Sequence, residues 1–424
     1  MAHKNFTNNV ISNNASKIGH EMLSDQQTLK DRILSNDSVR IDSDQVNGMP
    51  RIVYNHAITK TALRKFVGGA TKTFGEKFTK AVELGVIPEP IQSNTNFRYL
   101  LTQPEVHALL DHWNFPKYSV EVGNNRFPLK KCVVAIANQK GGVAKSTTTS
   151  SLAVATALDL HLRANVLILD LDPQGSMDQF TVHDPENEIF LTLVDIIMGK
   201  DLEKNQFFEL LDVADEKDII QKAPFETHLC NLNVMPAHPM DERLTDEFWQ
   251  ASSEERDKIF SRLRETILPA LQEKYDVILI DTPPVDGPLT WLALEISNFL
   301  LTPIAPKEMD YSSTGSFLSA LDRRYATLPS KGENLKVHKM VLTDHDPKST
   351  AEVNIKHRIV KSAQESLFGS HFVHSDAFVA ASSKHRTVLD LSHAEGLCSK
   401  INLRKASESV QAVYSQFILA IRSI

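Results

Sequence analysis

The sequence predicts an α/β protein built on a mostly parallel, doubly wound sheet, preceded by a small winged helix-turn-helix domain and an N-terminal helix. Near-continuous apolar runs that alternate with helical segments predict the sheet, as at 131–138, 165–172 and 275–284. Strands of this kind are covered on both faces by crossover helices. The smaller domain is predicted by two short amphipathic segments, 58–68 and 71–87, which flank a glycine-containing turn.

Residues 1–45 are predicted to be a polar arm that carries one amphipathic helix. Within the stretch IGHEMLSDQQTLKDRIL, residues 18–34, apolar side chains recur at helical spacing. The residues on this face are Ile18, Met22, Leu29, Ile33 and Leu34. Two roles remain open for this helix: dimerisation, or packing at the end of a flexible arm.

Residues 46–115 are predicted to form the winged helix-turn-helix domain. The run NFRYLLTQPEVHALLDHW (96–113) adds a short strand and a helix that begins at Thr102, with Pro104 in its first turn. Residues 51–87 hold seven Lys and Arg against two Glu, a net charge of 7 − 2 = +5. We therefore expect DNA binding through the second helix, although a solvated basic face would carry the same charge. The residues expected to contact DNA there are Thr71, Lys72, Thr73 and Lys77.

Residues 116–130 are rich in turn formers and are predicted to be a linker, and residues 131–424 are predicted to be one α/β domain. Further strands are expected at 299–306 and 337–343, and a helix at 147–160. The sheet should therefore begin with a strand, a glycine-containing loop and a helix.

Composition excludes several classes of protein. The chain has 424 residues, of which 42% are hydrophobic and 23% charged, enough for two or three domains. No apolar run approaches the roughly 20 residues of a membrane span, and the polar first thirty residues contain no export signal. Cys132, Cys230 and Cys398 have neither zinc-site nor disulfide-framework spacing. We therefore expect a cytoplasmic protein that makes no membrane contact.

A phosphate-binding loop is predicted in IANQKGGVAKSTTTS, residues 136–150. The usual pattern is Gly, four residues, then Gly-Lys-Ser/Thr, but here Gln139 and Ala144 replace the two glycines. Lys145 is expected to neutralise the β- and γ-phosphates, and the Ser146 hydroxyl to ligate Mg²⁺. Ala144 should cost little if its φ angle is negative. The residues expected to contact nucleotide are Lys140, Gly141, Gly142, Val143, Ala144, Lys145, Ser146 and Thr147.

Acidic residues end two other predicted strands, in DLDPQG (170–175) and LIDTPP (279–284). Asp170 and Asp172 alternate, so both side chains are expected on one side of the strand. Asp170 is assigned to nucleotide contact, with a loop-capping role as the alternative, and Asp281 is expected to hold the metal through water. Ligands collect beyond the carboxyl ends of parallel strands, where all three motifs lie. The predicted magnesium ligands are Ser146, Asp172 and Asp281.

Adenine is the expected base. The Asn-Lys-x-Asp tetrapeptide typical of guanine-specific switch proteins is absent from the sequence. The segment TPIAP (302–306) stands at the corresponding place, and we expect Pro303 to pack against the base.

The motifs KGGVAKST, DLDPQG and LIDTPP together resemble those of the ParA family of partition ATPases. The resemblance covers residues 130–424 by motif, and the layout of residues 50–115 is similar to larger members with an N-terminal DNA-binding extension. In this family the loop is a deviant Walker A, whose first lysine reaches the partner subunit's phosphates. The resemblance therefore implies this role for Lys140, and water positioning for Asp172. It makes Lys140, Lys145 and Asp172 catalytic residues of a homodimer that uses ATP, ADP and Mg²⁺.

The C-terminal part of the chain contains a second basic region. The whole chain carries −7; residues 1–115 carry 13 − 11 = +2, so the remainder carries −7 − 2 = −9. Against that background residues 345–405 hold nine Lys and Arg and six Asp and Glu. This region resembles the one that the family uses for sequence-independent DNA binding, although ordinary exposed charges remain the alternative. The candidates are Lys356, Arg358, Lys384, Arg386 and Arg404. The tail, 409–424, is expected to be a core-packing helix.

The expected function is ATP-dependent DNA partition in the cytoplasm, at the nucleoid. An ATP-bound dimer, or a filament on DNA, would bind DNA without sequence preference, and a ParB-like centromere-binding partner would stimulate a weak intrinsic ATPase. The ADP-bound or nucleotide-free form would bind operator DNA and repress its own operon. Two alternatives stay open: a nucleotide-sensing repressor with no transport role, and a metabolic ATPase of the same superfamily, which would not need residues 50–113.

Overall fold

The computed structural model describes most of the chain, and the described residues fall into two compact units, residues 1–51 and 52–424. The described residues are 16–22, 24, 45–46, 49–93, 98–117, 119–122, 125–128, 130–181, 189–199 and 206–424.

The first unit contains a short helix at residues 16–22 and an antiparallel strand pair, β1 (Gln45–Val46) and β2 (Met49–Pro50). On the predicted apolar face, Ile18 and Met22 are exposed. The other three residues of that face lie outside the described part of the chain: Leu29, Ile33 and Leu34. The dimerisation role of this helix therefore stays a prediction.

The second unit begins with a small group of helices around a three-stranded sheet. Its elements are α1 (Arg51–Asn55), β3 (Ile58–Thr59), α2 (Lys60–Val67), α3 (Thr71–Glu83), β4 (Ile91–Gln92), β5 (Tyr99–Leu101) and α4 (Gln103–His112). Strand β5 lies between β3 and β4 and is antiparallel to both. The helices and β5 share one apolar core, made of Leu63, Phe74, Phe78, Ala81, Val106, Leu109, Leu110 and Leu101.

Local sequence sets the ends of these helices. The Thr59 side chain accepts the N–H of Ala62 at the start of α2, and Gly68 ends that helix with a φ angle of 81°, a region that glycine reaches without strain. The Glu105 carboxylate accepts the N–H of Thr102 at 2.7 Å, before the first turn of α4.

The segment predicted as a linker contains a β-hairpin. Strands β6 (Ser119–Val122) and β7 (Asn125–Pro128) pair antiparallel. The two strands are too short to show a clear alternation of apolar and polar residues, and the linker role of residues 116–130 stays a prediction.

The large domain is built on an eight-stranded sheet of order β10-β11-β9-β12-β8-β13-β14-β15, parallel except for the edge strand β10. This confirms the predicted α/β fold of the large domain, whereas the winged helix-turn-helix assignment of the N-terminal helices stays a prediction. The strands are β8 (Cys132–Ile136), β9 (Val166–Asp170), β10 (Phe225–Glu226), β11 (Leu232–Met235), β12 (Val277–Asp281), β13 (Phe299–Ile304), β14 (Val337–His345) and β15 (Leu367–Val373). Every residue of β8, β9, β12 and β13 is buried, which explains their continuous apolar sequence.

Helices cover both faces of this sheet. They are α5 (Lys145–Ala157), α6 (Leu193–Met198), α7 (Gln206–Leu210), α8 (Glu216–Lys222), α9 (Arg243–Gln250), α10 (Ser253–Arg262), α11 (Leu268–Lys274), α12 (Pro288–Ile296), α13 (Glu308–Thr327), α14 (Thr350–Ala363), α15 (Asp376–Ser382) and α16 (Lys400–Ile421). Helices α5, α15 and α16 pack on one face, and α6, α8, α10, α11 and α12 on the other. The tail helix α16 buries Val410, Val413 and Phe417, as predicted. Among the described residues, no helix is both long and apolar enough to span a membrane.

Polar contacts fix the N-terminal helices of the second unit to the large domain. Gln103 donates its amide N–H to the carbonyl of Ala157 and to the side chain of Asn231. The guanidinium of Arg163, 2% exposed, donates to the Phe115 carbonyl at 2.7 Å and lies 3.2 Å from the Asp111 carboxylate. Residues 52–117 therefore form one compact unit with the sheet.

Candidate nucleotide site

The predicted phosphate loop connects β8 to α5, and its backbone has an unexpected shape. Val143 is buried, and its carbonyl accepts the Thr343 hydroxyl at 3.1 Å, which fixes the loop to β14. Gly142 has a φ angle of 78° and Ala144 one of 59°. The condition for a low cost at Ala144, a negative φ angle, is therefore not met: the chain enters α5 through a left-handed residue, a conformation that costs a non-glycine residue about 1 kcal/mol.

Lys145 is the first residue of α5, where free backbone N–H groups favour anions. Its side chain is only 6% exposed, and its ammonium lies 3.5 Å from the Lys140 carbonyl. Burial lowers the pKa of Lys145, against the raising effect of the Asp281 and Asp172 carboxylates. A bound phosphate would supply the negative charge that this buried cation needs.

Asp281 lies at the carboxyl end of β12, paired in register with Asp170 on β9 and Ile136 on β8. Its Oδ1 accepts the Thr149 hydroxyl at 3.2 Å, and its buried Oδ2 has no hydrogen-bond partner among the described residues. Burial raises the pKa of Asp281 to about 6, although the Ser146 hydroxyl and Lys145 ammonium act against this rise. A free carboxylate oxygen beside a hydroxyl suits hard cations, so these residues fit Mg²⁺.

The two carboxylates of the DLDPQG segment have different environments. Asp170 is buried, and its two oxygens accept the N–H groups of Asp172 and Met177 at 3.0 and 3.1 Å. Burial and the neighbouring Asp281 raise the pKa of Asp170 well above its ordinary value. Asp170 therefore caps its own loop, the alternative role named for it, and its contact with nucleotide stays a prediction. Asp172 is half-buried, accepts the Gln174 N–H at 3.1 Å, and acts electrostatically on Lys145.

Lys140 is the more accessible lysine of the loop, with a side chain 34% exposed. Its ammonium lies 3.8 Å from a carboxylate oxygen of Asp310, near the start of α13. Burial raises the pKa of Asp310, while Lys140 acts to lower it. No local sequence pattern indicates this contact, because the two residues are 170 positions apart in the chain.

Asn138 is a second residue that the sequence reasoning missed. Its amide donates to the Pro303 carbonyl and to the Thr314 hydroxyl, both at 2.8 Å. Its Oδ1 accepts the N–H of Lys140, so Asn138 connects the loop to β13 and α13. Pro303 itself is buried within β13, and its packing against the base stays a prediction. The position of Asn138, directly before the loop, is a signal that could have identified it.

The residues predicted to bind DNA have two kinds of surroundings. On α3, Thr71, Lys72, Thr73 and Lys77 are all exposed, opposite the buried Phe74 and Phe78. In the C-terminal region, three cations contact carboxylates: Arg358 with Glu308 at 2.6 Å, Arg386 with Glu395 at 2.9 Å, and Arg404 with Glu408 at 3.7 Å. Lys356 and Lys384 are half-buried.

Of the three paired arginines, Arg386 is the least exposed to solvent. Its side chain is 15% exposed and that of Glu395 only 6%, so the pair is largely withdrawn from solvent. Removing one member of such a pair leaves the other charge uncompensated, so the Glu395 carboxylate competes with DNA phosphate for this guanidinium. The DNA contact of Arg386 stays a prediction.

Known proteins are similar to this chain over the residues that form the nucleotide site. A family model described as an AAA domain matches residues 131–337, which include the loop, Asp172 and Asp281. The chain is 24% identical over 255 residues to plasmid partition protein A of Escherichia coli, covering 59% of this chain and 60% of that protein. It is 28% identical over 234 residues to the chromosome partitioning protein ParA of Myxococcus xanthus, covering 55% and 70%.

A solved structure described as a partition protein shares the fold across nearly the whole chain. The TM-score is 0.61 at 18% identity, and the superposition covers 96% of this chain and 99% of the other. The similarity therefore extends beyond residues 131–337 to the N-terminal helices.

Proposed function

Because this chain belongs to the ParA family of P-loop ATPases, we propose that it is a DNA partition ATPase whose ATP-bound dimer binds DNA without sequence preference. The observation that carries the proposal is the pair of loop lysines. Lys145 occupies the usual phosphate-binding position and is buried, whereas Lys140 is accessible and contacts Asp310 at 3.8 Å. A second, accessible lysine suits contact with the phosphates of nucleotide held by a partner subunit.

Each residue of the site has a distinct part in hydrolysis. The N–H groups at the start of α5 and the Lys145 ammonium bind the β- and γ-phosphates. Mg²⁺, held by Ser146 and Asp281, would neutralise charge that develops on these phosphates. Asp172 keeps one oxygen on the Gln174 N–H and can orient a water with the other. The water oxygen bonds to the γ-phosphorus, the bond to the β–γ bridging oxygen breaks, and the proton leaves with phosphate.

The intrinsic rate is expected to be low. Phosphoryl transfer gains a factor of about 10³–10⁵ from a positioned arginine, and residues 139–146 of the loop contain none. We therefore infer that a partner protein bound at a centromere-like DNA site completes the reaction. ATP would then keep the dimer on DNA until that partner is met.

The exposed polar surface of α3 supports a second DNA contact. Residues 58–101 supply two helices joined by a short connection and a three-stranded sheet, an arrangement suited to a winged helix-turn-helix. We propose that the exposed Thr71, Lys72, Thr73 and Lys77 contact operator DNA when ADP or no nucleotide is bound. The same observation favours the second candidate function, a nucleotide-sensing repressor without a transport role.

The test is DNA binding in three nucleotide states at one salt concentration. An unrelated duplex and a duplex from the chain's own upstream region are titrated with ATP, with ADP and without nucleotide. We expect the unrelated duplex to bind with ATP alone. Binding that is identical in all three states would contradict the partition proposal and favour the repressor.

Dimerisation is tested separately with Lys140→Ala. We expect this variant to bind ATP but to remain monomeric in light scattering, because the contact across the dimer is lost. Lys258→Ala, at an exposed site on α10, is the matched control and should dimerise like the wild type. An unchanged dimer fraction in Lys140→Ala would refute the role of this lysine.

A further inference from the structure

Two histidines and an aspartate from distant parts of the chain meet away from the nucleotide loop. The Nε2 atoms of His56 and His228 each lie 2.8 Å from Oδ1 of Asp390. The two imidazole rings stack with centroids 5.9 Å apart. The side chains of His56, His228 and Asp390 are 7%, 15% and 0% exposed. We refer to these three residues as the His–Asp–His cluster.

Further contacts hold the carboxylate of the cluster in place. Oδ2 of Asp390 accepts the backbone N–H and the hydroxyl of Thr387, at 2.7 and 2.6 Å. Asn55 donates its amide to the Asp390 carbonyl at 2.8 Å. Oδ1 is thus left for the two imidazoles. Metal-binding carboxylates are commonly oriented by hydrogen bonds of this kind to the oxygen that does not face the metal.

We propose that the His–Asp–His cluster is a binding site for Zn²⁺. The three potential ligand atoms, two imidazole nitrogens and one carboxylate oxygen, lie within 4.8 Å of one another. This mixed nitrogen and oxygen set suits zinc, whereas magnesium and calcium prefer oxygen ligands alone. Water would complete a tetrahedral arrangement on the side of His228, the more exposed of the two histidines.

Zinc binding requires a small expansion of the cluster. Tetrahedral bonds of about 2.0–2.1 Å place neighbouring ligand atoms about 3.3 Å apart, against the present 2.8 Å between each imidazole nitrogen and the carboxylate oxygen. The histidines lie in connections and not inside strands: His56 between α1 and β3, and His228 between β10 and β11. A shift of about half an ångström is therefore feasible without disturbing the sheet.

The site would join three separate segments of the second unit. His56 belongs to the N-terminal helices, His228 precedes a strand of the central sheet, and Asp390 follows Lys384 and Arg386 in the C-terminal region. A bound metal would hold these segments together in every nucleotide state. This inference does not depend on the proposed function.

The experiment measures zinc in the full-length chain, purified without a polyhistidine tag and without added nucleotide. We expect elemental analysis to find about one zinc per chain, and a titration with a chromogenic zinc chelator to show affinity at least about tenfold weaker in His56→Ala and His228→Ala. Replacement by Co²⁺ should give the visible absorption of a tetrahedral site. Circular dichroism shows whether each variant is folded.

Cys230→Ser is the matched control, because Cys230 lies two residues from His228 and its Sγ is 4.0 Å from Nδ1 of His107. This variant should retain zinc, since the cluster is intact. Two results would overturn the proposal: a folded wild-type chain that neither contains nor takes up zinc, or zinc that disappears in Cys230→Ser and persists in His56→Ala. In the first case the cluster is a hydrogen-bonded junction only.

Discussion

The nucleotide loop and the C-terminal basic region were both predicted from short stretches of sequence, yet their structures differ in kind. In the loop, the predicted residues converge: Lys145 is buried and acts electrostatically on both Asp172 and Asp281. In the C-terminal region the predicted cations diverge, and Arg358, Arg386 and Arg404 each contact a different carboxylate.

The difference arises from what each pattern encodes. A phosphate loop acts through backbone N–H groups at a helix N-terminus, and consecutive residues determine that backbone. A basic surface acts through side chains, whose partners come from anywhere in the fold. A count of charges therefore predicts excess cations, but cannot tell which of them are already paired.

The largest expected effect lies in the loop region. Asp172→Ala should lower ATP turnover about 10²–10⁴-fold, the usual contribution of a positioned acid–base group, with ATP binding retained. Steady-state turnover and a fluorescent-nucleotide titration would measure the two quantities. Asp246→Ala, an exposed carboxylate on α9, is the control. Turnover equal to that of the wild type would show that Asp172 takes no part in the reaction. The loop would then predict function no better than the C-terminal basic region does.

The second largest effect is expected on the free energy of unfolding. It should distinguish Arg386 from Arg404, two arginines for which the sequence predicts the same role. Arg386→Ala leaves the 6%-exposed Glu395 carboxylate without its cation, with only the Ser392 N–H, among the described residues, still bonded to it, and should lower the free energy of unfolding by about 1–3 kcal/mol. Arg404→Ala breaks an exposed i,i+4 pair and should change stability little. Urea denaturation measures both. Weaker DNA binding by Arg386→Ala at unchanged stability would instead support the prediction that Arg386 contacts DNA.

Much of the fold could be predicted because its signals are local. The strands β8, β9, β12 and β13 are buried on both faces, so their sequences are almost continuously apolar. Four site residues could be predicted for the same reason, since each lies at or next to a strand end or a helix start: Lys145, Ser146, Asp172 and Asp281. Parallel strands bring these ends together.

The features that were missed depend on pairings between distant residues. Asp310 contacts a lysine 170 positions earlier, and the His–Asp–His cluster brings together residues 56, 228 and 390. No periodicity or spacing records such contacts. The conformation of Ala144 could not be predicted for a different reason: it is left-handed because the loop imposes it, against the preference of the residue itself.

The left-handed conformation of Ala144 predicts a smaller effect, in which a substitution by glycine stabilises the protein. Ala144→Gly should raise the free energy of unfolding by up to about 1 kcal/mol, because glycine reaches a φ angle near 59° without strain. Ala62→Gly, at an exposed position of α2, should lower it by about 0.5–1 kcal/mol. Thermal and urea unfolding of the nucleotide-free chain would test this pair. Destabilisation by Ala144→Gly would mean that the alanine methyl group packs usefully in the loop.

The smallest effect concerns Lys356, which was predicted to contact DNA but lies near two histidines. Burial first, then Lys356 and His345, lower the pKa of His371 to about 4. Burial, and after it Lys356, also lower the pKa of His345, while Glu352 acts in the opposite direction. The ring of His345 lies 5.0 Å from that of His371. The charge of this lysine therefore acts on the two histidines.

Lys356→Gln should consequently raise the pKa of His371, as followed by NMR titration of the imidazole. A histidine pKa below its ordinary 6.5 means that the unfolded chain binds more protons, so stability falls as the pH drops from 6.5 towards 4. Raising that pKa reduces the fall, and the variant should lose less stability at pH 5 than the wild type. Lys361→Gln, exposed on the same helix, should leave the titration unchanged. If Lys356→Gln also leaves the His371 titration unchanged, the lysine faces solvent and stays available to DNA. The C-terminal region would then differ less from the nucleotide loop, where the predicted residues lie together.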